Sequence, residues 1–347
     1  MIELIKAAVI HKTFGTGKIK EVENGHVVID FGMSDSGEPT EKKFVYPDAF
    51  KNFLKINDPA IAEQVDSLIK INDEEELKRQ ELNEQDKREK RVAHIKALEE
   101  AKKKLPAKAK TKKTNTRQNI AFKLNYCDGG QAPEQIGFNG ICSDATIRYN
   151  IEKEKRIWCG SKECLCSQYL AGDIDRTTLD DSLVDDNFGC YESQLLKSWK
   201  ILAGEDGDGK TRKIKSARRN SLAVLTTRLP NTKEAERIIF GVFIIDAVLE
   251  GNDRESGYVS TQSTDKITLT LEEAKNMPFW NYHANSTSKA SAKWGSGLFR
   301  YMDDTQAVAL LQDLMKIKQD TPDAQLAKDL LETYCRNNLI ELSAVSQ

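Results

Sequence analysis

Four cysteines fall within or just after the stretch "RIWCGSKECLCSQYL": Cys159, Cys164, Cys166 and Cys190, spaced C-x4-C-x-C-x23-C. Thiols this close together hold a metal, pair as disulfides, or coincide by accident. Seven cysteines is an odd count, which suits a metal site with spare buried thiols better than a disulfide framework. The opening residues "MIELIKAAVIHKTFG" lack a basic region followed by a small-residue cleavage site. The expected compartment is therefore the cytoplasm, where thiols stay reduced. Four thiolates complete a tetrahedral Zn site, or supply one ligand to each iron of a [4Fe–4S] cluster. The spacing does not choose between Zn and the cluster. With no histidine nearby, an all-thiolate site is expected, and four thiolates leave no open position for catalysis. Lys155, Arg156 and Lys162 would favour the thiolate form. Cys127 and Cys142 are alternative ligands, and Cys335 reads as core.

A second candidate is the aromatic run "FWNYHANSTSKASAKWGSGLFRY", residues 279–301. Aromatic faces stack bases, and interleaved cations meet phosphates. Phe279 and Phe299 read as core. Trp280, Tyr282, His283, Lys293, Trp294 and Arg300 are the expected nucleic-acid contacts, with Trp280, Trp294 and Arg300 expected at the surface. Net charge is −2, but eight basic and no acidic residues lie between Lys102 and Asn119. Such a tract adds phosphate contacts without reading sequence.

"GEDGDGKT", Gly204 to Thr211, satisfies the phosphate-loop pattern G-x-x-x-x-G-K-[ST] letter for letter. Asp246, ending "GVFIID", would stand for the acid that holds Mg²⁺. Taken at face value this is an ATPase using Lys210. The context opposes that reading, because helical spacing precedes the motif and no apolar helix face follows it. Glu205, Asp206 and Asp208 would also repel a triphosphate. The histidines His11, His26, His94 and His283 are scattered, and no G-x-S-x-G or H-E-x-x-H motif occurs. The enzymatic alternatives are thus this ATPase, or an iron–sulfur nuclease or redox protein.

The elements that must position these residues follow from pattern. Residues 1–55 read as a small β module with strands "KIKEV" and "HVVIDF" joined at "ENG". Residues 58–104 read as one long, charged, solvated helix serving as a spacer, and 105–119 as a basic flexible linker. Residues 120–347 form a Cys-rich α+β domain: strands "SLAVLTTRL", "RIIFGVFIIDAVL", "GYVSTQ" and "KITLTL", then two helices starting near Thr305 and Asp323. No apolar run approaches twenty residues, so no membrane helix is expected.

Two resemblances add to this. His11, Phe14-Gly15-Thr16-Gly17, Val27 to Phe31 and Lys43-Phe44 resemble the Tudor-like, SH3-type barrel at the C-terminus of PcrA/UvrD helicases and in CarD-type modules. The resemblance implies a β-barrel that docks on RNA polymerase or a helicase, or touches nucleic acid. The strand "AVLTTRLP", the strand "FGVFIIDAV" and "WGSGLFRY" resemble the PUA-like group of EVE, YTH and SRA domains. "SDATIRYNI" and "RIWC" are similar to YTH domains, in which a cage tryptophan would fall on Trp158. That likeness implies a pocket that grips one extruded or unpaired base, with or without a modification, of DNA or RNA. The combined expectation is a cytoplasmic nucleic-acid-binding protein: a barrel, a helical spacer and a metal-stapled PUA-like reader.

Overall fold

The computed structural model describes residues 4–33, 39–104, 117–182, 190–206, 208–285, 289–295 and 297–341. The basic tract from 105 to 116, most of the expected linker, lies outside them. The chain divides into two units, Met1–Arg88 and Glu89–Gln347.

The first unit is built on alternation and tight turns. Strands β1 (Ala8–His11), β2 (Gly15–Glu23), β3 (His26–Met33) and β4 (Pro39–Val45) are followed by a short helix α1 (Ala49–Asn52) and β5 (Leu54–Ile56). The β2–β3 hairpin turns on Asn24 and Gly25, both at positive φ, with Glu23 paired to His26. That is the two-residue loop whose twist matches its strands. The order β4-β3-β2-β1-β5 is antiparallel throughout. Alternate residues Val9, Ile19, Val27 and Ile29 face one core with Leu54 and Val65. The expected closed barrel is corrected: β4 and β5 are the two edges and do not pair among the described residues. Closure needs every strand hydrogen-bonded on both sides, and β5 has only three residues.

Helix α2 (Pro59–Lys104) opens with Pro59 in its first turn, where the missing N–H costs nothing. Asp58 accepts the N–H groups of Ala60 and Ile61 at 2.9 and 3.2 Å. Residues 70–90 are all exposed, as expected of a charged spacer with no apolar stripe. The last four turns differ and belong to the second unit. There Ile95 is buried, His94 meets the Tyr282 ring edge-on, and Arg91 donates to the Ala290 carbonyl at 2.7 Å. Glu99 pairs with Lys289, and Lys102 with Asp303. No helix among the described residues is long and apolar enough to cross a membrane.

The second unit is α+β. It continues through β6 (Asn119–Leu124), α3 (Asp144–Arg148), α4 (Leu165–Ala171), α5 (Arg176–Asp181), α6 (Leu195–Ser198) and β7 (Lys200–Leu202). Next come β8 (Leu222–Thr227), β9 (Ile238–Ile244), β10 (Ala247–Leu249), β11 (Tyr258–Ser260), β12 (Lys266–Thr268) and α7 (Leu271–Lys275). It ends with β13 (Phe299–Met302), α8 (Asp304–Ile317) and α9 (Ala324–Asn337). The main sheet runs β12-β9-β8-β6-β13, and only its β6–β8 pair is parallel. Every residue of β8 and β9 is buried, so both faces are covered; β9 reads as an unbroken apolar run, and β8 does so up to Thr226 and Thr227. Asp303 caps α8 through a capping box with Gln306. A smaller sheet, β10-β11-β7, stands apart.

Candidate functional site

After β6 the backbone doubles back on itself. A Cβ on Gly129 would lie 1.8 Å from the Gly140 carbonyl oxygen, so only glycine fits there. This closure sets the Cys127 and Cys142 thiols side by side, both buried, with Cys127 Sγ donating to the Gly140 carbonyl at 3.4 Å. Helix α3 starts at Ser143, whose hydroxyl accepts the Thr146 N–H and donates to Asp128 at 2.6 Å. Past α3 and a π-helical turn, residues 154–164 form a compact loop. In it the N–H of Gly160 meets the Arg156 carbonyl at 2.9 Å, and that of Cys164 meets the Ser161 carbonyl at 3.1 Å.

Cys164 occupies the N-cap of α4, and Cys166 lies in its first turn. The thiol of Cys166 adjoins those of both Cys164 and Cys190. Cys159 stands in the field of Cys190 and Cys164. All four cysteines singled out by spacing therefore gather in one place, and the other pair, Cys127 and Cys142, borders them through Cys190. The hydrogen bond from Cys166, helped by the Ser167 N–H, pushes the Cys164 thiol down to about 6. Burial pushes Cys159 up. Cys190 is lowered by its bond with Cys166, yet burial and the nearby Glu192 raise it on balance. Glu192 accepts from Cys190 at 3.5 Å, and burial raises its carboxyl. All seven cysteines are free. Among the described residues, no three His, Cys, Asp or Glu side chains are placed to hold a metal ion.

The aromatic run is also gathered in space, but inward. Trp280, Tyr282 and Trp294 are 1, 2 and 1% exposed. The surface position expected for Trp280 and Trp294 is therefore corrected. Pro278 bridges to Ile238 at the start of β9, so the segment after it closes that end of the core. The rings follow it in: Phe279 lies 4.9 Å from Trp294 and 5.2 Å from Trp280. Trp280 Nε1 donates to the Glu234 carbonyl at 2.7 Å, and Tyr282 Oη to Asp313 at 2.9 Å. His283 stacks on Phe279 at 5.4 Å. Burial, then the Arg300 charge, lowers its pKa to about 4, so it is neutral at pH 7. Lys293 is exposed. Arg300 is half-buried, donates to the Trp294 carbonyl, and places its guanidinium 5.9 Å from that indole. Of the expected tryptophans only Trp158 is open, at 47%, beside Ile157 at 68%.

Sequence reasoning missed a basic cluster. Lys123 on β6 pairs in register with Thr226 on β8, and Ala121 with Arg300 on β13. Side chains alternate along strands, so Lys123, Thr226 and Arg300 share one face, and Arg228 follows just past the end of β8. Arg237 enters the same face, its Nη1 3.5 Å from Thr226 Oγ1. Its guanidinium is held by Glu234 at 2.6 and 3.0 Å and lies 4.8 Å from the Trp294 ring. Arg156 reaches the group from the cysteine loop and shares Glu154 with Arg228. A signal existed: the polar Lys123 interrupts an otherwise buried strand.

The phosphate-loop letters are a surface turn. Glu205 bridges to Thr211, and the Asp206 carboxylate accepts the N–H groups of Asp208 and Lys210 at 3.1 and 2.9 Å. No helix follows before β8, and Lys210 is exposed. Asp246 instead braces a turn, accepting from the N–H of Gln262 at 2.6 Å. The described residues of this motif form no phosphate cradle. No protein-family model, curated protein or solved structure matches the chain.

Proposed function

We propose that the chain is a cytoplasmic nucleic-acid-binding protein whose second unit meets one base of DNA or RNA on Trp158, with a thiolate-bound metal holding that loop. The observation that carries this reading is the placement of a half-exposed indole directly before Cys159, on a loop whose thiols converge. An exposed ring on a short, doubly anchored loop loses little freedom when a base stacks on it. The metal has a structural role: it would tie residues 159–166 to Cys190 across a long chain separation. The N-terminal sheet, with Phe14 exposed beside Lys42, serves as the docking module toward a polymerase or helicase.

The test is a metal count joined to a binding measurement. Protein purified without oxygen should carry about one Zn, or about four Fe with sulfide, per chain. Cys164→Ser and Cys190→Ser should lose it. Trp158→Ala should weaken single-strand binding by about 1–3 kcal/mol, with the melting temperature unchanged. Metal-free native protein would overturn the staple, and unaltered affinity in Trp158→Ala would overturn the ring's role. A second reading, an iron–sulfur redox protein or nuclease, is supported by the convergence of the same four thiols. A [4Fe–4S] cluster takes one cysteine per iron. Metal-dependent strand cleavage would select it.

A further inference from the structure

Among the described residues, cations outnumber carboxylates in the basic cluster. Lys123, Arg156, Arg228 and Arg237 lie within one another's fields, and the described groups of opposite sign beside them are Glu154, Glu234 and, at Arg156, the Cys159 thiol. The side chains of Arg156, Arg228 and Glu154 are each 21% exposed, and that of Arg237 is 2% exposed. Water therefore screens this excess of cations poorly, and like charges held together out of water oppose folding unless something of opposite sign joins them. The effect registers on two members. Burial first, then Arg237, lowers the Lys123 ammonium, while burial and the cations Arg228 and Arg237 lower Arg156.

Hydrogen-bonding capacity is unspent in the same place. Among the described residues, Arg156 Nε, Trp294 Nε1 and Arg300 Nε are buried N–H donors with no acceptor. Buried donors in folded proteins are nearly always paired, so three around one group of cations mark a missing acceptor. Among the described residues, Lys123 Nζ makes only a long contact, 3.4 Å to the Gly295 carbonyl. The missing partner must be anionic, to offset the cations, and rich in acceptor oxygens without donors. Guanidinium forks match a phosphate in just this way.

The geometry points to Lys123, Arg156, Arg228 and Arg300, assembled over the Trp294 indole and Arg237, as a binding site for a phosphate group. The inference rests on the nucleic-acid reading for the source of that phosphate. Arg156 and Trp158 are two residues apart, so a strand whose base stacks on the indole carries its backbone to the cations. The ligand class is thus the phosphodiester of a single strand. A free nucleotide or inorganic phosphate offers the same chemistry, and the experiment separates these sources.

The full chain is compared with Lys123→Gln and with the double variant Lys123→Gln/Arg228→Gln. Lys123→Gln removes a charge that makes no short contact, so it keeps the fold. Affinity for a labelled single-stranded oligonucleotide is measured across salt concentrations. Thermal melting is followed with inorganic phosphate, with AMP and with chloride alone. Binding at least tenfold weaker in the double variant, with a salt slope shallower by about 0.7 per lost phosphate contact, supports the site and its strand ligand. Wild-type protein that binds no strand, yet melts higher with phosphate or AMP only while Lys123 is present, supports the site and rejects the nucleic-acid reading. Strand binding that is identical in folded wild type and both variants overturns the site and leaves that reading standing. No response to strand, phosphate or AMP overturns both.

Discussion

Both units carry a histidine within a group of aromatic rings, and the two groups have opposite environments. In the first unit His11 stacks on Phe14 at 4.7 Å, with Phe31 and Phe44 close by and the Lys42 ammonium 5.5 Å from the Phe14 ring. Phe14 is 40% exposed, and His11 is anchored through Nδ1, which accepts the N–H groups of Thr13 and Phe14 at 3.0 and 3.3 Å. In the second unit His283 stacks on Phe279 among Trp280 and Trp294, all three of those rings within the core. The composition is alike, aromatics with cations and glycine. One group lies on an open sheet, and the other is sealed by chain that closes over the end of β9. Aromatic–cation interleaving therefore reports a site where rings and cations meet, but it does not say which of them faces the solvent.

The sharpest way to break this contrast is to remove a ring from each group. Trp294→Ala should cost about 3–5 kcal/mol in urea unfolding, because a cavity opens among Phe279, Trp280 and Arg237. Phe14→Ala, on the open sheet, should cost no more than about 1 kcal/mol. Equal losses would mean that the two groups are packed alike. A smaller effect reads the burial of His283 by pH. His283 is neutral when folded down to about 4, whereas an unfolded chain protonates its histidines near 6.5. Between those values the unfolded state binds more protons, so stability falls as pH falls from about 6.5 to 4 and is whole above that window. His283→Gln should remove roughly 1–3 kcal/mol of this dependence. An unchanged pH profile in that variant would place the histidine in water. The smallest effect is on Trp158: replacing it with Ala should move stability by less than about 0.5 kcal/mol, which sets it apart from Trp280 and Trp294 in the aromatic run.

Much of the fold is legible in local pattern. The "ENG" turn and its flanking alternation determine the β2–β3 hairpin, since a type I′ turn wants Asn-Gly and period two needs one buried face. The apolar runs of β8 and β9 and the amphipathic periods of α8 and α9 announce themselves in the same way. Pro59 and Asp58 mark the start of α2. Barrel closure was not legible, because it depends on whether two edges meet, and no residue pattern encodes that pairing. Nor was the docking of residues 89–104: an isolated Ile95 carries no periodic signal, yet one buried residue with a few flanking polar contacts is enough to seat four turns.

The candidate site divides along the same line. By itself the sequence determined that Cys159, Cys164 and Cys166 must lie near one another, because eight residues cannot span far. It also placed Trp158 beside them. Tertiary structure alone decided that Cys190 returns to that group and that Cys127 and Cys142 border it. It decided too that Lys123 and Arg300, on two strands, are joined at one face of the sheet by Arg156, Arg228 and Arg237 from the segments around it. The physical reason is that local sequence sets backbone conformation over a few residues, whereas strand register and core closure bring distant side chains together. Charge excess and unpaired donors exist only after that assembly, so they can be read only from the folded chain.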